Sequence, residues 1–391
     1  MCGIAGIIYK NGKKVEKSVI TEMTEVMVYR GPDAMGSFLD NNFGMGHRRL
    51  SIVDLSEKGT QPMFSYDRRY VIAYNGEIYN YLVIKKELQK LGGHFQNNTD
   101  TEVILEAYRI WGIDCTKRFN GMWSFALYDI EKRCLFLSRD RFGVKPLYIL
   151  DREDVFVFAS EIKCITAVFS DEKVVDEIAV ARYMHFIQED ADEHTFYKNI
   201  QNFPRATNMK YLLKDNRRIN QVYWRIDVNK FKKKWKTKNP YRTFRRLLED
   251  AVRIRLQADV PVGASLSGGL DSSTIVSIAK KKYHTTINTF SSIYKEKECN
   301  EKEFIDCVNI DTGANAHYIY PDKSENIIED LKKLIYYHDG PCESASPYSG
   351  YCVYRGVGNK VKVLLLQFSH PPPYCKEKVL DKIRVFCYNY I

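Results

Sequence analysis

A chain of 391 residues, 45% hydrophobic and 28% charged, is longer than one core normally supports and too apolar for wholesale disorder, so two globular domains are expected. No apolar run reaches the ~18 residues of a membrane span, and Lys10, Lys13, Lys14, Glu16 and Lys17 follow the start too closely for a secretory leader; a cytoplasmic location with no membrane partner is expected. Ten cysteines without a C-x-x-C pair argue against a disulfide framework or a zinc site and for reduced thiols. The net charge of +10 gathers in Lys230, Lys232, Lys233, Lys234, Lys236 and Lys238 and the arginines around them; without an RNA-binding motif this reads as a solvated linker face, and no nucleic-acid partner is expected.

The chain opens Met1-Cys2-Gly3-Ile4-Ala5-Gly6-Ile7-Ile8-Tyr9. A small residue behind the initiator permits removal of Met1, which would set the Cys2 thiol beside an α-amino group whose ordinary pKa, near 8, suits it as the thiol's base. Taken alone, Cys2 reads better as a small buried residue at a strand start. Val19, Met23 and Val26 fall on one face of residues 17–28 and predict a helix. Arg30-Gly31-Pro32-Asp33, Gly46-His47-Arg48-Arg49-Leu50-Ser51-Ile52-Val53-Asp54 and Gln61-Pro62-Met63 follow. Next come Tyr74-Asn75-Gly76-Glu77-Ile78-Tyr79-Asn80, where Asn75-Gly76 could form a type I′ hairpin turn, and Thr99-Asp100-Thr101-Glu102, where Asp100 could cap a helix over 101–111. Residues 124–129 and 134–139 have strand composition across a short polar connection and predict a hairpin.

After a polar stretch over 205–240, Phe244, Leu247, Leu248, Val252 and Leu256 predict an amphipathic helix across Tyr241 to Asp259. It leads to Ser265-Leu266-Ser267-Gly268-Gly269-Leu270-Asp271-Ser272-Ser273, between a short apolar strand (Val260 to Ala264) and a helix opening at Thr274. Two glycines admit an anion to the backbone, hydroxyls donate to it, and the helix start adds N–H groups, so the stretch reads as a phosphate loop; a plain Gly-Ser turn is the alternative. It lacks the Gly-Lys-Ser/Thr of γ-phosphoryl transfer. Thr289 to Ile293 is the expected second strand and Val361 to Leu366 a later buried one.

Ser-Gly-Gly-x-Asp-Ser resembles the pyrophosphate loop of the ATP pyrophosphatase superfamily, whose members split ATP between the α- and β-phosphates to adenylate a carboxyl or carbonyl group. The N-terminal motifs, with Phe119 to Trp123, Ser138 to Tyr148 and Ala159 to Lys163, resemble the glutaminase domain of class II glutamine amidotransferases, in the wording of the asparagine synthetases, over roughly residues 2 to 365. The resemblance implies α+β and α/β folds: an N-terminal-nucleophile αββα sandwich over 1–205, a basic linker over 206–240, and an incomplete α/β ATP pyrophosphatase domain over 241–391. It implies glutamine, aspartate and ATP as substrates, ATP and Mg2+ as cofactors, and a homodimer as one candidate assembly.

Carboxamide hydrolysis by thiolate attack needs an oxyanion stabiliser, which the Asn75 side-chain amide and the Gly76 N–H could supply to Cys2. Arg49 and Asp100 offer a cation and an anion to the amino-acid end of glutamine, with Glu77 nearby and Leu50, Ser51, Ile52 and Val53 completing the pocket that the resemblance implies. Taken alone, Arg49 reads better as a member of a surface ion pair. For ATP the resemblance implies Leu266, Ser267, Gly268, Gly269, Asp271, Ser272 and Ile293, with Leu266 and Ile293 against adenine and Asp271 on magnesium.

The match departs beyond Asp339. Asp339-Gly340-Pro341 stands where the family carries Asp-Glu-Pro, and the strand ending at Leu366 runs into Gln367-Phe368-Ser369-His370-Pro371-Pro372-Pro373 in place of an acidic Gly-rich loop, which three prolines cannot form. The expectation is a truncated or frame-shifted member that hydrolyses glutamine and makes little asparagine. The alternatives are a glutaminase with an inactive synthetase half, a regulatory or binding subunit, another class II amidotransferase, and a structural protein.

Overall fold

The computed structural model describes residues 1–187, 192–229, 239–323, 326–342, 345–358, 360–367 and 385–387. The basic run 230–238 and the triple proline at 371–373 lie outside them. The chain divides into two units, Met1–Val228 and Asn229–Ile391.

The first unit contains strands β1 (Gly3–Tyr9), β2 (Ala34–Asp40), β3 (Phe43–Arg49), β4 (Met63–Phe64), β5 (Tyr70–Ile78), β6 (Gly121–Asp129), β7 (Cys134–Arg139), β8 (Tyr148–Asp151), β9 (Val155–Ala159), β10 (Ile200–Asn202), β11 (Thr207–Leu212) and β12 (Arg217–Val222). Its helices are α1 (Lys17–Glu25), α2 (Tyr81–Lys90), α3 (Asp100–Trp111), α4 (Ile162–Val168) and α5 (Glu177–Phe186). The strands form two antiparallel sheets, ordered β10-β8-β9-β1-β3-β2 and β12-β11-β7-β6-β5-β4.

Both faces of the central strands are buried, which is why β1, β5, β6, β7 and β9 read as near-continuous apolar runs, whereas the edge strand β2 alternates. Ile4 and Ile8 of β1, Phe43 and Met45 of β3, Val71 and Ala73 of β5, Ala126 and Tyr128 of β6, and Phe156 and Phe158 of β9 form one core between the sheets. The intervening residues face outward. Ala5, Ile7, Val155 and Val157 pack with Ile20 and Met23 of α1 and Ile162 and Ile165 of α4. Ile72, Tyr74, Phe125 and Leu127 pack with Ile84 and Leu88 of α2 and Val103 and Ala107 of α3. Helix, sheet, sheet, helix is the expected αββα arrangement. A close approach holds the inner core together: a Cβ on Gly6 would stand 2.3 Å from the Phe158 ring.

Three expectations change. The first unit does not end at 205. β11 pairs with β7, Met209 opposite Leu137, and Met209 and Tyr211 are buried in the inner core. β12 is the edge strand beyond it; its Arg217 and Arg218 are exposed. Such charges suit an edge that must not recruit further strands, and they made the segment read as linker. Asn75-Gly76 is no hairpin turn, because β5 runs unbroken from Tyr70 to Ile78 against β6, with Asn75 opposite Ser124 and Gly76 opposite Trp123. The cap of α3 is Thr99, whose hydroxyl accepts the Glu102 N–H (3.2 Å), which leaves Asp100 inside the first turn.

The second unit contains α6 (Pro240–Arg255), β13 (Val262–Ser265), α7 (Leu270–Ser277), β14 (Asn288–Ser292), α8 (Lys302–Thr312), β15 (Asn315–Ile319), α9 (Ile327–His338), α10 (Ala345–Val357), β16 (Val363–Gln367) and β17 (Val385–Cys387). Asn239 caps α6 through its side chain, with Pro240 in the first turn. Of the predicted apolar face of α6, Val252 is buried while Phe244 and Leu247 remain partly exposed. The sheet order is β15-β14-β13-β16-β17, parallel except for the antiparallel β17. From β13 the chain steps to one side, through β14 to β15, and later returns to the other side as β16. That reversal is a topological switch point, where α/β sheets bind ligands outside the carboxyl ends of their strands. Among the described residues, no helix is long and apolar enough to cross a membrane.

Phe136 is fully buried, 5.1 Å centre to centre from Tyr108 and 5.4 Å from Phe125. Phe136→Ala should lower the stability of the first unit by about 3–5 kcal/mol, read in urea from the fluorescence of buried Trp123. A loss under about 1 kcal/mol would mean the sheet and helix layers are not one cooperative core.

Candidate active site

Cys2 precedes β1, and β1 is held on both sides, by β3 (Gly3 opposite Arg48) and by β9 (Ala5 opposite Ala159). The thiol meets the main chain of Leu50, accepting its N–H at 3.4 Å and lying 3.7 Å from its carbonyl oxygen. Burial pushes the thiol up, opposed by the N-terminal ammonium, the Leu50 N–H and the Lys145 and Arg49 charges. Burial, with the Arg30 charge next in effect, holds the Met1 amine down at about 4.

The Arg30 to Asp33 stretch secures both partners of that contact. Arg30 Nε donates to the Cys2 carbonyl at 3.0 Å, and the Asp33 carboxylate accepts the Ser51 N–H at 2.8 Å. A Cβ on Gly31 would stand 2.3 Å from the Arg48 backbone, so only glycine lets this segment cross the end of β3.

Arg49 forms no surface ion pair. It is 6% exposed, and its guanidinium donates to the carbonyls of Ser56 (2.8 Å) and Asp54. Those bonds tie down the 50–59 loop, and among the described residues the remaining N–H groups of the fork have no protein partner. A Cβ on Gly59 would clash with Nη2 at 2.0 Å. Asp100 is buried at the start of α3, where its carboxylate accepts from the Tyr74 hydroxyl (2.8 Å) and the Ile78 N–H (2.9 Å). Burial raises its carboxyl, against those bonds. Leu50 and Ser51 are thus fixed through their backbones; Ile52 and Val53 lie partly buried in the same loop, and Glu77 lies on β5 beside Gly76.

Asn75 faces the space between the sheets, in register with Val71 and Ala73. It is 1% exposed, and its Nδ2 has no hydrogen-bond partner among the described residues. A buried amide donor left unpaired costs roughly 1–3 kcal/mol and calls for an acceptor that the protein does not supply. His47 faces β5 from β3 of the opposite sheet, its Nε2 3.0 Å from the Tyr74 carbonyl, and burial lowers its pKa to about 3, so it is neutral and donates there.

Two further motifs quoted from the sequence acquire parts that sequence reasoning did not assign. The Asp140 carboxylate accepts the N–H groups of Trp123 (3.2 Å), Phe142 (3.0 Å), Val144 (3.0 Å) and Lys145 (2.9 Å), folding the 140–147 turn around itself. Glu161, just past β9, binds Arg30 (2.7 Å). Charged residues in Ser-Arg-Asp and Ser-Glu-Ile-Lys patterns look like surface; only the burial of Asp140 and Glu161 in the fold reveals them.

In the second unit, Gly268 sits at φ +81°, the left-handed region that favours glycine, and a Cβ there would approach Phe304 Cβ at 3.1 Å and the Glu301 carbonyl at 3.2 Å. Ser267 and Ser272 join their hydroxyls at 3.1 Å, and the Ser267 N–H donates to Ser272 Oγ at 3.2 Å, closing the loop on itself. Gly269 is the N-cap of α7 and gives it no side-chain cap, so the N–H groups of the first turn face the loop. Leu266 and Ile293 are both buried. Leu266 N–H donates to the Phe290 carbonyl (3.0 Å), and the Leu266 carbonyl accepts from Ser291 Oγ (2.6 Å). Asp271 is exposed in the first turn of α7, and no group of three or more His, Cys, Asp or Glu side chains suited to a metal occurs among the described residues. Asp339 is the left-handed C-cap of α9.

Residues 1–224 match the model of the glutamine amidotransferase domain, and residues 243–366 that of asparagine synthase. A putative glutamine-hydrolysing asparagine synthetase 2 of Methanocaldococcus jannaschii is 38% identical over 378 residues, 91% of this chain and 71% of the relative. Asparagine synthetase 1 of Bacillus subtilis is 31% identical over 93% of this chain, and asparagine synthetase B of Escherichia coli 34% over 72%. The chain spans 57% and 45% of those two relatives. With both domain matches in one chain, and that identity across most of its length, this protein belongs to the glutamine-hydrolysing asparagine synthetase family.

Proposed function

We propose that Cys2, freed of Met1, hydrolyses glutamine to glutamate and ammonia, and that the ammonia is transferred to an aspartyl adenylate made from aspartate and ATP at the Ser267-to-Ser272 loop. The observation that carries the first half is the buried, unpartnered Nδ2 of Asn75. The thiolate adds to the carboxamide carbon, and the negative charge arriving on the carbonyl oxygen is met by that amide and the Gly76 N–H. The uncharged α-amine takes the thiol proton and returns it to the nitrogen as the C–N bond breaks, releasing ammonia and leaving a thioester, which water then hydrolyses to glutamate and the free thiol. The open donors of Arg49 suit the substrate's α-carboxylate, and Asp100, whose carboxyl is destabilised as an anion by burial, gains most from its α-ammonium.

For the second half, the helix start and the Ser267 and Ser272 hydroxyls suit a pyrophosphate. An exposed carboxylate at the same helix start would repel that anion, so Asp271 fits best with Mg2+ between them; Mg2+ commonly takes one or two carboxylates and completes its shell with phosphate oxygens and water. Bound there, it would neutralise charge on the phosphates. A second reading, glutaminase with nucleotide binding but no turnover, is favoured by the prolines at 371–373 in place of an acidic loop. Release of AMP and pyrophosphate from Mg-ATP, aspartate and glutamine decides between them: vigorous release rules out the second reading, and its absence rules out synthesis by this chain.

Cys2→Ala should reduce glutamate release below about a thousandth of the parent rate; a variant that keeps more than this removes Cys2 as nucleophile. Arg49→Ala should raise KM for glutamine by the equivalent of roughly a few kcal/mol, and an unchanged KM takes Arg49 out of the pocket. Gly268→Ala, forced into the left-handed region, should weaken ATP binding about tenfold in calorimetric titration. Equal affinity would mean that the nucleotide binds elsewhere.

A further inference from the structure

We infer that Glu161, with Lys163 and Tyr29 behind it, is a positioning group for the nucleophile, acting through Arg30 on the main chain of Cys2. The inference rests on the glutaminase reading above. Glu161 follows Ser160, which is tied to β1 twice: its hydroxyl accepts the Ile4 N–H at 3.0 Å and its N–H donates to the Ile4 carbonyl at 2.8 Å. That register brings the carboxylate against the first residues of β1. One oxygen accepts from Arg30 Nη1 at 2.7 Å, and the other from Lys163 Nζ at 2.8 Å and from the Tyr29 hydroxyl. Lys163 Nζ also donates to Tyr29 at 2.9 Å. Arg30, Glu161 and Lys163 are all buried. Burial alone would raise the Glu161 carboxyl; Arg30, Lys163 and Tyr29 overcome it and leave it below the ordinary carboxylate value.

Stability is a poor account of this set, since exchanging buried ion pairs for apolar groups is often neutral or favourable. Its placement supplies a better one. The cluster carries two cations and one anion, and its Arg30 holds the carbonyl of Cys2 itself. The Met1 amine is held down first by burial and then by the Arg30 and Lys145 charges, with Glu161 and the Cys2 sulfur acting the other way. On the α-amine that removal of Met1 would free, the Glu161 anion would likewise favour the ammonium and so raise its basicity toward the thiol proton.

The test is the pH profile of glutaminase kcat/KM for the full chain carrying Glu161→Gln, Lys163→Met, or both, with the pH dependence of Cys2 alkylation by iodoacetamide measured alongside. Removing the anion disfavours the ammonium, so the acid limb of Glu161→Gln should move to lower pH by about one unit, with a plateau about tenfold lower from the weaker base. Lys163→Met keeps the Arg30 to Glu161 pair and should move the limb to higher pH. The double variant should return toward the parent, and alkylation should shift with the same signs. Limbs that stay put, or move in one direction for both single variants, in proteins with native circular dichroism would overturn the inference. Should Glu161→Gln fail to fold, the direction of the Lys163→Met shift decides alone. Should the parent release no glutamate, the glutaminase reading falls, while alkylation still tests Glu161.

Discussion

Everything in the first unit depends on β1 lying in the middle of its sheet. An N-terminal strand at an edge would fray, because the first residues of a chain are poorly ordered unless tied down. Hydrogen-bonded to β3 and β9 at once, β1 delivers Cys2 to a fixed point at the end of the sandwich. There, Leu50 approaches from the end of β3 and Ser160 and Glu161 from the end of β9. A thiol, an amine and an ion cluster meet because three adjacent strands stop at the same height.

Asn75 reaches the site by the same logic of register. On β5 it belongs to the series Val71, Ala73, Asn75, all facing inward. A slip of one residue would turn its amide to the outer face and bring Gly76 inward. The inward aim of the Asn75 amide is thus specified by the apolar alternation of the strand.

The layers were legible in the sequence, and the site only partly so. Helices α1 and α3, the β6–β7 hairpin and the β13-loop-α7 passage follow from local pattern, which periodicity and turn chemistry report directly. Cys2, Asn75 and Asp100 could be named because their residue types suit the chemistry, while each carried a plausible local role as well. Two of those local roles failed, one for a long-range reason, since β6 pairs straight through Asn75-Gly76, and one for a local one, since the neighbouring Thr99 takes the cap. What remained illegible was the company of Cys2. Arg30 and Glu161 are 131 positions apart in sequence, and nothing in either neighbourhood announces the other. β12 was hidden differently, since an edge strand protected by arginines has the composition of a linker.

The central strand also orders events during synthesis. β1 leaves the ribosome before its partner β9 and the carboxylate of Glu161, which arrive some 150 residues later, and pairings this distant in sequence form slowly. Until they form, the Cys2 carbonyl lacks the Arg30–Glu161 pair that grips it. On the role proposed for Cys2, the nascent chain carries an ordinary thiol, and completion of the fold acts as a licence for the chemistry.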